Sequence, residues 1–264
     1  MTPPELRPDV PHSARIYDYV LGGKDNFEAD RAAAEKMLEG MPSLRVSMRA
    51  NRRFMVKAAR FLVRQGIRQF LDVGTGLPTH PNLHEVVQGE APAAKVVYVD
   101  NDPLVLVHAR ALLIPVGTGT VSYLDADLRE PEAIFAAPPI KDDFDLSRPV
   151  AVTLIAVLQH IVDDDIARDI VARIMAALAP GSGLAISAVT TENDEQGGDH
   201  TVRTYNRSGV PVRPRSRAQV EALFGDLPTV DPGVVLVHRW RPDSEDAATE
   251  DKDVAMYGGV AVKR

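Results

Sequence analysis

Residues Gln69 to His80 read Gln-Phe-Leu-Asp-Val-Gly-Thr-Gly-Leu-Pro-Thr-His, and the rest of the chain is organised around them. The short apolar run Phe70–Val73 stops at Gly74, a pattern typical of a buried parallel strand that ends in a tight turn. Gly74 and Gly76 have no Cβ, so the backbone can adopt positive φ there and a ligand can approach the main chain closely. Asp72 lies inside the apolar run and needs partners, which the turn amides or a ligand ammonium group could supply.

Two further apolar runs downstream also end in acids. Lys95–Asp100 places a carboxylate 28 residues after Asp72, about the offset at which a second strand delivers an acid to the hydroxyls of a nucleoside ribose. Val121–Asp127 is a third run that closes on acids. Acids at three neighbouring strand ends predict a nucleoside pocket at one edge of a sheet.

The composition limits the possible functions. A chain of 264 residues fits one large domain, or one domain with a small extension. The 30 basic and 37 acidic residues give a net charge of −7, which argues against a nucleic-acid partner or an anionic membrane surface. The absence of cysteine excludes disulfides, thiolate zinc sites and a cysteine nucleophile. No apolar run approaches membrane-spanning length and Met1–Val10 has no hydrophobic signal core, so a cytoplasmic protein is expected.

Helical patterns fill the chain before the glycine turn. A proline-rich leader, Thr2–Pro11, is expected to be extended. Ser13 is a candidate cap for the first of three predicted helices, which are Ala14–Leu21, Asp30–Leu38 and Ser43–Gln65. The third helix carries seven basic residues, which we interpret as a solvated outer face without a function.

Strands and helices alternate after the turn. Helices are predicted at Asn82–Val87, Pro103–Leu113, Glu132–Ala137, Ile166–Leu178 and Ser216–Phe224, and further strands at Val150–Val157, Leu184–Val189, Val234–Val237 and Met256–Val262. The acids Asp163–Asp165 are interpreted as complements of a helix dipole, so no metal site is predicted. The acidic loop Asp243–Asp253 is expected to be mobile.

This order predicts an α/β protein with a Rossmann-like, doubly wound, seven-stranded sheet, mostly parallel with an antiparallel C-terminal strand. An N-terminal helical extension precedes the sheet. The expected division is residues 1–65 for the extension, acting as a lid, and residues 66–264 for the sheet domain.

The order of parts resembles the class I S-adenosylmethionine-dependent methyltransferases. It is more similar still to an actinobacterial family of S-adenosylmethionine methyltransferases long catalogued as a domain of unknown function, whose reactions are mostly unassigned. The resemblance spans nearly the whole chain, and it rests on the segments Pro11–Phe27, Phe70–Thr79, Tyr98–Pro103 and Val157–His160.

The resemblance implies that the cofactor is S-adenosylmethionine, with a role for each matching position. The methionine part would lie near Asp72, Gly74, Thr75, Gly76, Val157 and Leu158, and the ribose and adenine near Asp100, Asn101, Asp127 and the amide of Leu128. The segment His12–Phe27 is predicted to be a lid that adds Tyr17, Lys24 and Asn26. One departure is Pro78, which stands where many methyltransferases have a third small residue, so the turn can differ in shape.

Several of these residues have a structural alternative. Asp100 could cap the helix that begins at Pro103, and Asp127 the helix that follows Pro131. His160, which follows the fourth strand, is the candidate catalytic base, but its ring could equally be satisfied by neighbours. Tyr17 could be an ordinary packing aromatic.

The predicted function is therefore methyl transfer to an unidentified small-molecule acceptor. A nicotinamide-dependent oxidoreductase is the alternative enzyme, disfavoured because no third glycine follows Gly76 in the dinucleotide-binding spacing. A non-catalytic S-adenosylmethionine-binding sensor or assembly protein is the second alternative.

Overall fold

The computed structural model describes residues 7–112 and 114–264, so Thr2–Leu6 of the predicted leader and Leu113, the last residue of one predicted helix, lie outside it. The strands are β1 (Gln69–Val73), β2 (Lys95–Asp100), β3 (Val121–Asp125), β4 (Ala151–Ile155), β5 (Gly183–Val189), β6 (Val235–Leu236) and β7 (Met256–Val262). The helices are α1 (Ser13–Leu21), α2 (Glu28–Gly40), α3 (Leu44–Arg64), α4 (Leu83–Glu90), α5 (Pro103–Leu112), α6 (Pro131–Ala136), α7 (Pro138–Asp143), α8 (Asp164–Ala176), α9 (Glu195–Arg207), α10 (Arg217–Ala222) and α11 (Ser244–Ala247). Short 3-10 turns lie at Leu158–His160, Val237–Arg239 and Asp251–Asp253.

The strands form one sheet in the order β3-β2-β1-β4-β5-β7-β6. Strands β1 to β5 pair in parallel, and β7 runs antiparallel to both β5 and β6. The strand order reverses between β1 and β4, and ligands of open α/β sheets bind outside the carboxyl ends of the strands at such a switch point. The predicted fold class is confirmed.

The two faces of the sheet bury separate apolar clusters. On one face, Phe54 of α3 belongs to the same cluster as Phe70 of β1. On the other face, Ile170 of α8 shares a cluster with Leu71. Consecutive strand residues point to opposite sides of a sheet, so β1 contributes to both clusters.

A third apolar cluster joins the N-terminal helices to a distant part of the chain. It contains Ile16 of α1, Met37 of α2 and Tyr205 of α9. Helix α9 was not predicted from the sequence, and neither was α7. Helix α2 packs against α9, and α3 packs on the sheet. The two segments on either side of residue 65 therefore share apolar cores. Their division into two domains stays a prediction.

Some local expectations differ from the structure. His12, not Ser13, caps α1, with its Nδ1 3.4 Å from the amide of Ala14. The loop expected to be mobile contains α11, and its Asp246 is 1% exposed. The Asp246 carboxylate pairs with Arg53 at 2.7 Å and also with Lys57, so part of the basic face of α3 is an ion-pair network rather than a solvated surface. Within residues 7–112 and 114–264, no helix is both long and apolar enough to cross a membrane.

Candidate active site

A cavity of about 410 Å³ lies at the carboxyl ends of the strands. Its floor is formed by the ends of β1, β2, β3 and β4 and the loops after them. Residues 10–18 form its cover, and the end of α9 and the segment after it form one side. The volume is in the range of small-molecule sites. The predicted edge of the sheet is thus the place where a ligand can enter.

The glycine turn after β1 is fixed by its neighbours on both sides. Gly74 and Gly76 have φ values of 76° and 67°, and the amide of Gly74 donates to the carbonyl of Val99 at 2.8 Å. A Cβ on Gly74 would lie 2.3 Å from Cγ2 of Val157. Glycine at this position therefore lets the loop after β4 approach the turn, and Thr75, Gly76 and Val157 all line the cavity.

Asp72 presents a carboxylate in a poorly solvated part of the cavity. It lies opposite Thr153 across the β1–β4 ladder, and the Thr153 hydroxyl donates to its Oδ1 at 2.5 Å. Burial raises the pKa of Asp72 to about 6, against the lowering effects of the Thr153 hydrogen bond and the Arg52 charge. A ligand cation beside this carboxylate would favour its ionised form.

Asp100 ties the end of β2 to the glycine turn. Its Oδ2 accepts from the amide of Gly76 at 2.8 Å, and its Oδ1 accepts from the amide of Asp102 at 2.9 Å. The side chain of Asp102 accepts from the amide of Leu104 at 2.9 Å, so Asp102, not Asp100, caps the first turn of α5. Burial raises the pKa of Asp100 although both amides lower it. Each oxygen keeps acceptor capacity for a further hydroxyl group.

The residues predicted to face adenine lie together beyond β2 and β3. Oδ1 of Asp127 accepts from the amide of Arg129 at 2.8 Å, and its Oδ2 pairs with the Arg129 guanidinium at 3.0 Å. The Asn101 amide group is 3.5 Å from Oδ2 of Asp127. Glu130 is the N-cap residue of α6, so the alternative that Asp127 caps this helix is wrong. Asn101, Asp127 and Leu128 all line the cavity.

The loop after β4 carries the candidate base. Ala156 has a φ of 55°, an uncommon conformation for a residue with a side chain. Val157 and His160 line the cavity, whereas Leu158 is fully buried in the core and is not among the lining residues. Nδ1 of His160 lies 2.9 Å from the carbonyl oxygen of Pro211.

The hydrogen-bond partner of His160 determines its tautomer. A carbonyl oxygen can only accept, so Nδ1 carries the proton and the lone pair of the neutral ring is on Nε2. Burial lowers the pKa of His160. The ring is therefore neutral at neutral pH and has its basic nitrogen available.

Helix α1 covers the cavity with a subset of the predicted lid residues. Residues 10–14, Tyr17 and Asp18 line it, and Lys24 and Asn26 are not among the lining residues. The side chain of Asn26 donates instead to Oδ2 of Asp18 at 2.8 Å and to the carbonyl of Gly23 at 3.1 Å. Asn26 thus links the turn after α1 to the side chain of Asp18. It is not among the residues that line the cavity.

The cover is anchored from beneath by buried contacts. Arg15 and Asp30 form an ion pair at 3.1 Å, with side chains 3% and 0% exposed. Asp30 also accepts from the main-chain amide of His12 at 2.8 Å. The ring of His12 in turn lies 3.0 Å from Asp102, at the start of α5. Residues 12–15 are therefore attached to both α2 and the β2–α5 turn.

Arg52 is a cavity residue that the sequence reasoning missed. One of its terminal nitrogens donates to the carbonyls of Thr79 and Pro81 at 2.6 and 2.7 Å. Its Nε is buried and, among the described residues, has no hydrogen-bond partner. The spacing of residues in α3 could have identified it, because Arg52 follows Met48 by four positions and precedes Met55 by three. Arg52 therefore belongs to the inner face of α3 and not to its basic outer face.

The comparison with protein families agrees with this geometry. The model of the family described as S-adenosyl methyltransferase matches residues 1–264. The chain belongs to this family. It is an enzyme of the methyltransferase class, and S-adenosylmethionine is its cofactor.

Two solved structures are similar to this methyltransferase over nearly its whole length. A DUF574 family protein from Streptomyces avermitilis MA-4680 is 46% identical, with a TM-score of 0.96 and coverage of 98% of this chain and 100% of that one. A proposed methyltransferase from Thermobifida fusca YX is 39% identical, with a TM-score of 0.90 and coverage of 100% and 98%. The predicted family is confirmed.

More distant structures share the fold. The plantazolicin methyltransferase BpumL, solved with S-adenosylhomocysteine, is 11% identical, with a TM-score of 0.52 and coverage of 95% and 96%. A search of curated proteins gave no match. None of these comparisons supports a nicotinamide-dependent oxidoreductase or a non-catalytic binding protein.

Proposed function

We propose that the chain transfers the methyl group of S-adenosylmethionine to a small-molecule acceptor held in the same cavity. The observation that carries the proposal is the joint placement of Asp72, Arg52 and Asp100 around one glycine turn. These three side chains offer complementary partners for the two ends of the cofactor.

The amino-acid end of the cofactor fits Asp72 and Arg52. An ammonium group beside Asp72 would offset the unfavourable burial of that carboxylate. A carboxylate beside Arg52 would give the orphaned Nε a charged partner, and a buried donor without a partner costs about 1–3 kcal/mol. A zwitterion therefore satisfies both groups at once, which neither NAD nor a simple nucleoside does.

The nucleoside end fits the next two strand ends. Asp100 would accept from the ribose hydroxyls while it holds the amide of Gly76 in place. Asn101 and Asp127, with the buried side chain of Leu128, would bound the adenine. The roles of Lys24, Asn26 and Leu158 as cofactor contacts are not carried forward, because these residues lie away from the cavity wall.

When bound, the cofactor supplies a methyl group already activated by the positive sulfonium. The chain then has to orient the acceptor, exclude water and receive a proton. Helix α1 lines the cavity and would help to exclude water, and Nε2 of His160 is the candidate proton acceptor. A cavity of about 410 Å³ favours a small-molecule acceptor over a macromolecule.

Isothermal titration calorimetry of the full-length protein tests this function. S-adenosylhomocysteine is expected to bind with one site per chain, and NAD is expected not to compete with it. Binding of NAD without binding of S-adenosylhomocysteine would contradict the proposal.

A further inference from the structure

The part of the cavity beyond β4 is distinct from the part assigned above to the cofactor. The cofactor groups follow the ends of β3, β2 and β1, which are consecutive in the sheet. The next strand, β4, and the segment after α9 form the remaining wall. We call this the acceptor wall, and its side chains are Gln159, His160, Ile161, Tyr205, Val210 and Pro211.

The acceptor wall has no carboxylate, ammonium or guanidinium group. Its two titratable rings are neutral, because burial lowers the pKa of His160 and raises the pKa of Tyr205. The charged residues that line the described cavity lie on α1 and α3, near the end of β1, at the end of β2 and in the loop after β3. The charge of Arg129 acts on His160, but this guanidinium is already paired with Asp127 at 3.0 Å. A charged acceptor placed against the acceptor wall would therefore lose hydration without gaining an unpaired ionic partner from its side chains.

Three polar groups of the wall are available to a ligand. Oε1 of Gln159 accepts from the amide of Val189 at 3.3 Å, which leaves its Nε2 as a donor. The hydroxyl of Tyr205 has no hydrogen-bond partner among the described residues, and the residue is only 9% exposed. The third group is the lone pair on Nε2 of His160.

Resting on the function proposed above, we propose that the acceptor wall is a subsite for an uncharged, hydroxyl-bearing compound with an apolar body. The hydroxyl is held by Tyr205 and Gln159, and the apolar body lies against Ile161, Val210 and Pro211. His160 is the base.

The transfer is balanced in atoms and charge. The acceptor oxygen forms the new C–O bond to the methyl carbon as the C–S bond breaks, and the electron pair of that bond stays on sulfur. The hydroxyl proton passes to Nε2 of His160. The sulfonium charge is thus replaced by an imidazolium charge, which is later lost to solvent.

The acceptor wall is held rigidly by a residue behind it. The guanidinium of Arg215, a residue 1% exposed, donates to the carbonyls of Leu158 and Ile161 at 2.8 and 2.7 Å and to Asp164 at 3.0 Å. The amide of Arg213 donates to the carbonyl of Gln159 at 2.8 Å. These bonds fix both ends of the turn that carries Gln159 and His160, so Arg215 is a positioning residue.

Three phenols with the same two-carbon tail test the subsite: 4-ethylphenol, whose tail is uncharged, and 3-(4-hydroxyphenyl)propionate and tyramine, whose tails carry a terminal carboxylate and a terminal ammonium group. Their binding to the full-length protein saturated with S-adenosylhomocysteine is measured by ligand-observed NMR. We expect 4-ethylphenol to bind at least about tenfold more tightly than either charged phenol, because a buried charge would be unpaired. Equal or tighter binding of a charged phenol, or no binding of 4-ethylphenol, overturns the proposal.

Tyr205→Phe provides the matched test of the wall, with Tyr19→Phe as its control. The hydroxyl of Tyr19 contacts Glu35 outside the cavity. Loss of one hydrogen bond is expected to weaken 4-ethylphenol binding about three- to tenfold in Tyr205→Phe and not in Tyr19→Phe. Equal affinities in the two variants contradict the subsite. Both variants should bind S-adenosylhomocysteine normally, whereas loss of that binding in the unmodified protein would mean that the proposed function itself has failed.

Discussion

The carboxylate of Asp100 accepts from the main-chain amide of Gly76 at 2.8 Å, which joins the acid of β2 to the glycine turn of β1. The same carboxylate accepts from the amide of Asp102. Asp100, which was predicted as a ribose ligand, therefore also shapes the glycine turn that lines the cavity. Ligand affinity and local structure should depend on it together.

Replacing Asp100 with alanine is expected to weaken S-adenosylhomocysteine binding by about 1.5–3 kcal/mol, the range for losing a charged hydrogen-bond acceptor. Calorimetry measures the affinity, and circular dichroism confirms that the fold is kept. Asp125→Ala is the control, because Asp125 ends the neighbouring strand but is exposed and does not line the cavity. An unchanged affinity in Asp100→Ala would remove Asp100 from the site.

Arg52→Gln is expected to discriminate between two ligands. Binding of S-adenosylhomocysteine should weaken by about 1.5–3 kcal/mol, because its carboxylate loses a charged partner. Binding of 5′-methylthioadenosine, which has no amino-acid group, should stay within about twofold of the unmodified protein. Arg49→Gln is the control from the exposed face of the same helix. Equal losses for both ligands would mean that Arg52 only supports the turn at Thr79 and Pro81.

Asp72→Asn is expected to stabilise the ligand-free protein and to weaken ligand binding. The pKa of Asp72 is raised to about 6, so the folded state binds more protons than the unfolded state between about pH 4 and 6. The contribution of Asp72 to the free energy of unfolding is therefore present at low pH and is lost as the pH rises through 6. At pH 7.5 the variant, which lacks this ionisation, should unfold at a higher temperature, with a gain of about 1–2 kcal/mol after discounting for partial exposure.

The measurements for Asp72→Asn are thermal unfolding at pH 4 and pH 7.5 and calorimetry with S-adenosylhomocysteine. In the unmodified protein, affinity should fall below pH 6 as the carboxylate is protonated, and in the variant this fall should be absent. Unfolding temperatures that do not differ at pH 7.5, together with an unchanged affinity, would contradict both parts of the expectation.

Arg215→Lys is expected to loosen the turn that carries His160. In the unmodified protein, nitrogen NMR of labelled histidine should show Nδ1 protonated and a titration midpoint below 6.5, since burial lowers the pKa of this ring. The variant should move the midpoint upward, because a loosened ring is better hydrated. Arg217→Lys is the control, as its side chain is exposed and pairs with Glu221.

His160→Gln identifies which histidine NMR signal belongs to His160. The same variant separates cofactor binding from proton transfer. Its affinity for S-adenosylhomocysteine should stay within about twofold of the unmodified protein, because the ring lies beyond the part of the cavity assigned to the cofactor. Protonation on Nε2 would contradict the tautomer assigned to His160, and an unaltered midpoint in Arg215→Lys would show that Arg215 does not act through His160.

The fold and the floor of the site could be predicted from the residues alone. Apolar runs of strand length, the glycines after β1, the acid near the end of β1 and the acid that ends β2 are local patterns. The parallel arrangement then forces the ends of neighbouring strands to one edge, so Asp72 and Asp100 had to meet there. These features need no knowledge of how distant helices pack.

Which side chains form the cover and the acceptor wall depends on how distant elements pack together. Tyr205 and Arg215 reach the site because α9 packs on α2 and the following segment bonds to the loop after β4. Arg52 was hidden among the other basic residues of α3. Lys24, Asn26 and Leu158 had the right neighbours in sequence but lie off the cavity wall. The physical reason is that a side chain's access to a cavity depends on burial between elements far apart in the chain, which residue spacing within one element does not encode.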